Sequence, residues 1–203
     1  MFITHSPRTL ALILVCNVAL AAAAGSAESP SFNCKKVEAG GIPDVVCHDE
    51  ALSRLDRQLT GVFAAASRKA KNEHPPVLKA EQRGWLKGRD DCWKSDDKHS
   101  CIKDSYRLRI AELQANYRLV DSTGPVTFAC DGNAANEVVV TYFKTAPSTL
   151  IAEHGDSVSL MFVQRSGSGA RYQGRNESFW EHQGVAKITW GYQAPEMTCK
   201  PKP

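Results

Sequence analysis

The sequence predicts an α+β protein of two units, an N-terminal disulfide-linked three-helix bundle followed by a small antiparallel β-barrel. Three observations carry this prediction. Apolar residues recur at helical spacing up to Tyr117, then fall into short alternating runs after Pro125. Six cysteines follow an apolar leader, an even number that fits disulfides in an oxidising compartment. The chain of 203 residues has room for one medium domain or two small ones.

The first element is a leader rather than part of the fold. Arg8 precedes an apolar run over 10–20, broken only by Asn17, and alanines fill 21–24. Residues 1–27 are expected to be a signal peptide cleaved after Ala24 or Ala27, since both sites place small residues where a signal peptidase reads them. The run is too short to span a membrane. Cys16 follows Val15, where a lipoprotein signal would carry a small residue, so no lipid anchor is expected. The mature chain is expected to be exported, soluble and periplasmic.

Cys16 leaves with the leader, and Cys34, Cys47, Cys92, Cys101, Cys130 and Cys199 remain. Their order along the chain favours sequential pairs, Cys34 with Cys47, Cys92 with Cys101, and Cys130 with Cys199, each inside one unit. There is no C-x-x-C, and no histidine lies at ligand spacing from a cysteine pair, so no metal is expected; His48 beside Cys47 reads as a surface residue.

The helical unit is expected over 28–120. Asp49 is a candidate N-cap for a helix with Leu52, Leu55, Leu59, Val62, Phe63, Ala66 and Ala70 on one stripe. Pro75 and Pro76 open a second helix, in which Leu78, Trp85, Leu86 and Cys92 share a face. Ser100 is the expected cap of a third, carrying Ile102, Tyr106, Ile110, Leu113 and Tyr117. So small a bundle has a limited core, and each short-loop disulfide would add about 2 to 3 kcal/mol.

Residues 121–125 read as a turn-rich linker, and the barrel is expected over 126–203. Short strands are predicted at 126–130, 137–144, 149–153, 157–164, 171–172, 178–180, 185–190 and 197–200. A bond between Cys130 and Cys199 would tie the first strand to the last and contribute about 4 kcal/mol in the chain-entropy account.

The chemistry points away from catalysis. Metalloprotease, serine-hydrolase, P-loop and dinucleotide-binding motifs are all missing. Glu81, Asp90, Asp91, Asp96 and Asp97 read as solvated faces or helix-end charges, with Glu81, Arg83, Arg89 and Asp90 as structural ion pairs within the bundle. No catalytic residue and no cofactor is expected. Twenty-five Lys and Arg against 22 Asp and Glu imply neither a nucleic-acid partner nor an anionic membrane. The most informative stretch is 166–184, where Gly167 and Gly169 bracket Ser168 and can present its hydroxyl on a protruding turn. Tyr172, Phe179, Trp180 and Trp190 are read as core rings.

Two family resemblances add to this reading. Ser168-Gly169-Ala170-Arg171-Tyr172, followed by Phe179-Trp180 and a glycine, resembles the membrane-bound and periplasmic inhibitors of C-type lysozyme, MliC and PliC. The resemblance implies an inhibitor that protects peptidoglycan by occupying the lysozyme cleft, with Ser168, Gly169, Arg171 and Tyr172 at the binding site. The family carries a lysine shortly after the Phe-Trp pair; here Glu181-His182-Gln183-Gly184 follows, with one more residue before the glycine and no lysine. His182 or Gln183 is the expected substitute donor. The rival reading is an envelope module that recognises peptidoglycan or another envelope protein. Between Cys34 and Tyr117, the cysteine spacing together with Leu55-Asp56, Ala80-Glu81-Gln82-Arg83, Trp85-Leu86, Arg89-Asp90, Tyr106 and Arg109-Ile110 is similar to the LprI-type domain. Members of that family are exported, and some are assigned lysozyme inhibition.

Overall fold

A computed structural model describes residues 1–2, 29–74 and 76–202. Residues 3–27 of the expected signal peptide, with both cleavage sites and Cys16, and Pro75 lie outside the described residues.

The helical unit has four α-helices rather than three: α1 (Ile42–His48), α2 (Glu50–Lys69), α3 (Leu78–Asp90) and α4 (Lys98–Asn116). The additional helix α1 spans seven residues and carries a proline in its first turn. It is too short to show a helical apolar period, yet it buries Ile42 and Val46. Helix α2 starts where expected, with Asp49 Oδ1 accepting from the Leu52 N–H at 2.8 Å. The cap of α4 is Asp97 and not Ser100. Its Oδ1 accepts from the Ser100 N–H at 2.9 Å, placing Ser100 in the first turn. An ionised carboxylate is the stronger acceptor at a helix N-terminus. Cys92 belongs to a 3₁₀ turn (Asp91–Lys94) that follows α3.

Leu52, Leu59, Ile102, Tyr106, Ile110 and Leu113 from α2 and α4 form the bundle core, closed by Leu78 and Cys92. Within it, Arg89 Nη1 donates to Tyr106 Oη at 2.7 Å and Tyr106 Oη donates to Asp56 Oδ1 at 3.0 Å. Burial, with the Asp56 carboxylate adding, pushes the Tyr106 phenol well up from its ordinary pKa. Arg89 also bonds Asp90 through Nε and Nη2. Of the expected ion-pair residues, Arg89 and Asp90 meet each other, Glu81 instead lies 3.9 Å from Arg109, and Arg83 has no ion pair among the described residues.

The barrel consists of β1 (Ser122–Cys130), β2 (Asn133–Phe143), β3 (Thr149–His154), β4 (Ser157–Gln164), β5 (Ala170–Gln173), β6 (Ser178–His182), β7 (Val185–Thr189) and β8 (Glu196–Pro201). Each strand pairs with the next, and β8 closes on β1. The residues read as a linker are corrected here: Ser122 and Thr123 pair with Phe143 and Tyr142, so the first strand begins before residue 126. A register shift between Thr123 and Val126, at the Gly124-Pro125 pair, explains why this stretch looks like a turn in sequence. Phe128, Val138, Val140, Leu150, Met161, Phe179 and Ile188 fill the interior.

Disulfides join Cys34 to Cys47, Cys92 to Cys101 and Cys130 to Cys199. The two units touch through Ala115 of α4, which packs with Val120 ahead of β1 and with Phe143, Ile151 and Leu160 on the outer face of β2, β3 and β4. This explains why β4 is apolar on both faces: Met161 points into the barrel while Leu160 meets the helix.

Candidate functional site

In an up-and-down barrel, alternate connections emerge at the same end. The β4–β5 loop (165–169), the β6–β7 turn at Gln183-Gly184 and the entry of β1 from α4 share one end. Ser168 and Gln183 are therefore neighbours: Ala170 pairs with Glu181 across β5 and β6, and the chain continues from that pair into both turns. Gln183 and Gly184 have φ of 52° and 76°, the left-handed pair a two-residue hairpin needs.

The Ser168 turn is held from three sides. Its carbonyl accepts from Ser166 Oγ at 2.5 Å and from Trp180 Nε1 at 3.0 Å. Gly169, at φ +68°, lies so close to β6 that a Cβ there would stand 2.2 Å from the Glu181 carbonyl oxygen. Only glycine fits this approach. Among the described residues, by contrast, the Ser168 hydroxyl makes no hydrogen bond and the Arg171 guanidinium makes neither a hydrogen bond nor an ion pair. Arg171 is exposed and lines a groove of about 480 Å³ with Arg165, Gln164 and Gln173. The site thus offers fixed backbone, one free hydroxyl and two cationic side chains.

Strand alternation decides the other residues. Tyr172 and Phe179 point inward; Tyr172 is 9% exposed and its ring meets Tyr142 and Phe179 edge-on. Tyr172 is therefore a core ring supporting the site, and its place among the binding residues is corrected. Trp180 corrects the reverse assignment: read as core, it is 40% exposed on the outer face, opposite Arg171 on β5 and Lys187 on β7. Adjacent residues on a strand face opposite ways, so Phe179 and Trp180 cannot both be buried in the barrel. That rule is the signal in the sequence that could have found Trp180; Ser166 gave none. His182 shares the face of Trp180, their rings nearly parallel at 6.2 Å. Glu181, between them, is turned to the barrel side. Burial pushes the Tyr142 phenol up, and the charge of Glu181 adds to the shift.

Both units, the closed eight-stranded barrel and the disulfide-stapled helical unit, contain residues that match a family of lysozyme inhibitors. Residues 128–197 match the family described as membrane-bound lysozyme-inhibitor of c-type lysozyme, MliC, and residues 34–113 match the family described as lysozyme inhibitor LprI. "Lipoprotein LprI" of Mycobacterium bovis (strain ATCC BAA-935 / AF2122/97) is 30% identical over 159 residues, covering 78% of each chain. "Lipoprotein LprI" from two Mycobacterium tuberculosis strains, CDC 1551 / Oshkosh and ATCC 25618 / H37Rv, matches with the same identity and coverage. The chain belongs to the LprI family, with an MliC-type barrel as its C-terminal half. Among the described residues, no helix is long and apolar enough to cross a membrane.

Proposed function

We propose that the chain is an exported, non-enzymatic inhibitor of C-type lysozyme that acts in the periplasm and seats its Ser168 turn in the enzyme's cleft, protecting peptidoglycan. The observation that carries this is the placement of two turns with unpaired donors at one end of a rigid barrel. A C-type lysozyme works with two carboxyl groups facing each other across its cleft, one kept protonated and one ionised. A protein surface that excludes water from these groups must hydrogen-bond them, because burying either unpaired is costly. Ser168 Oγ and Arg171 serve as those donors, and Gly169 sets the turn that carries them. Gln183, at the tip of the β6–β7 turn, and His182 beside it take the place of the family's lysine. Glu181 does not oppose them, since it faces the other side of β6.

The missing lysine favours one rival, an envelope module that recognises peptidoglycan or another envelope protein. Inhibition assays with C-type, G-type and I-type lysozymes in parallel, beside a peptidoglycan pull-down, separate the two. Inhibition confined to the C-type enzyme supports the proposal. Peptidoglycan binding without inhibition of any lysozyme overturns it.

A further inference from the structure

We infer that Trp180 and His182 form an aromatic shelf that packs against the apolar wall of the lysozyme cleft beside the Ser168 turn, and that the Trp180 indole is also the latch that sets this turn. The inference rests on the lysozyme-inhibitor reading and adds a contact surface to it. Phe179 is fully buried, whereas Trp180 leaves a large ring in water, 40% exposed. An aromatic side chain can bury about 150 to 250 Å² of surface, so leaving Trp180 open forgoes stability that an inward-facing ring would supply. Exposed tryptophans beside a binding element are typical anchors of protein interfaces.

The position of the shelf fits the chemistry of its target. The general acid of a C-type lysozyme keeps its proton because it sits in an apolar pocket against an aromatic side chain. A surface closing that pocket needs a hydrogen-bond donor for the carboxyl group and an apolar face for the wall next to it. Ser168 is the donor. The parallel rings of Trp180 and His182 are the adjoining face, and Glu181 is absent from it. The second role follows from one bond. Trp180 Nε1 donates to the Ser168 carbonyl at 3.0 Å, so the turn is ordered before lysozyme arrives and less freedom is lost on binding.

The full-length mature protein should be oxidised with and without C-type lysozyme, and modification at each tryptophan read by mass spectrometry. Trp93, 62% exposed on the helical unit, is the internal reference. Trp180 should be protected severalfold in the complex while Trp93 is not. In inhibition assays Trp180→Ala should raise the inhibition constant about tenfold or more, and Trp180→Phe, which keeps a ring but loses the N–H, by about threefold. Equal oxidation of Trp180 in free and bound protein overturns the inference. So does an unchanged inhibition constant for Trp180→Ala with an unchanged melting temperature. If Ser168→Ala has no effect while Trp180 stays protected, the plug assigned to Ser168 falls and the shelf stands. Absence of any lysozyme binding removes both.

Discussion

The helical unit buries a satisfied polar network around Arg89, Tyr106 and Asp56, with only Arg109 Nη2 left unbonded among the buried side-chain atoms of the described residues, whereas the barrel turns polar groups outward at one end and leaves them open. In the bundle, all three guanidinium nitrogens of Arg89 donate to Asp90 or Tyr106. Both Asp56 carboxylate oxygens are also engaged, by Tyr106 and by Ser31. In the barrel, Ser168 Oγ and Arg171 have no partner among the described residues, although the backbone beneath them is fixed by Trp180, Ser166 and Gly169. A satisfied buried network specifies a fold; unpaired donors on a rigid turn are prepared for a ligand. Under the proposed function, the first set of residues serves stability and the second recognition.

The largest effect should come from breaking the buried network. Asp56→Ala removes an acceptor from Tyr106 and Ser31 and should destabilise the helical unit by about 3 kcal/mol, read as a fall in its thermal midpoint. Lysozyme inhibition should change by no more than about twofold in the protein that remains folded, since distant sites act independently. Next in size, Gly169→Ala places a Cβ against the Glu181 carbonyl at a left-handed φ, a strain of about 1 to 3 kcal/mol that must move the turn. Inhibition should weaken severalfold with a small change in melting. Were Gly169→Ala to inhibit as well as the unmodified protein, the rigid turn would lose its role.

A fragment beginning at Asp121 tests how far the units separate. It should melt cooperatively and keep lysozyme binding, but at a lower midpoint than in the full chain, because Phe143, Ile151 and Leu160 lose their cover from Ala115. Binding lost in a folded fragment would place part of the interface on the helices. The smallest effect is the pH dependence common to both units. Burial pushes up the phenols of Tyr106, Tyr142 and Tyr172, and it raises Tyr117 to about 12, with the hydrogen bond to Glu73 adding. Each folded value lies above the unfolded value of about 10, so the neutral phenol favours the fold. This contribution is fully present below pH ~10 and is lost as pH rises toward the folded values. Tyrosinate absorbance should therefore appear together with alkaline unfolding.

Much of the architecture was legible in the sequence because period and turn chemistry are local. Each of the eight predicted strand segments has its counterpart in the barrel, and the Asp49 cap starts α2. What escaped was not local. Helix α1 is too short to declare a period, and Ser122 and Thr123 join β1 only because β2 is there to pair with them. At the candidate site, the glycine-bracketed Ser168 announced a turn, but the proximity of that turn to Gln183 depends on the β5–β6 register. In sequence, Phe179 and Trp180 look like one apolar unit, which hides the outward face of Trp180. The pleat sends its two members to opposite faces.

The most direct test of the central claim compares inhibition constants of the unmodified protein, Ser168→Ala and Gln183→Lys against a C-type lysozyme. A desolvated hydrogen bond to a carboxyl group is worth about 1.5 to 3 kcal/mol, so Ser168→Ala should weaken inhibition about ten- to a hundredfold with an unchanged melting temperature. Gln183→Lys should tighten it by restoring a cation at the second turn. If both variants fold normally and inhibit as the unmodified protein does, the Ser168 and Gln183 turns are not the inhibitory contacts.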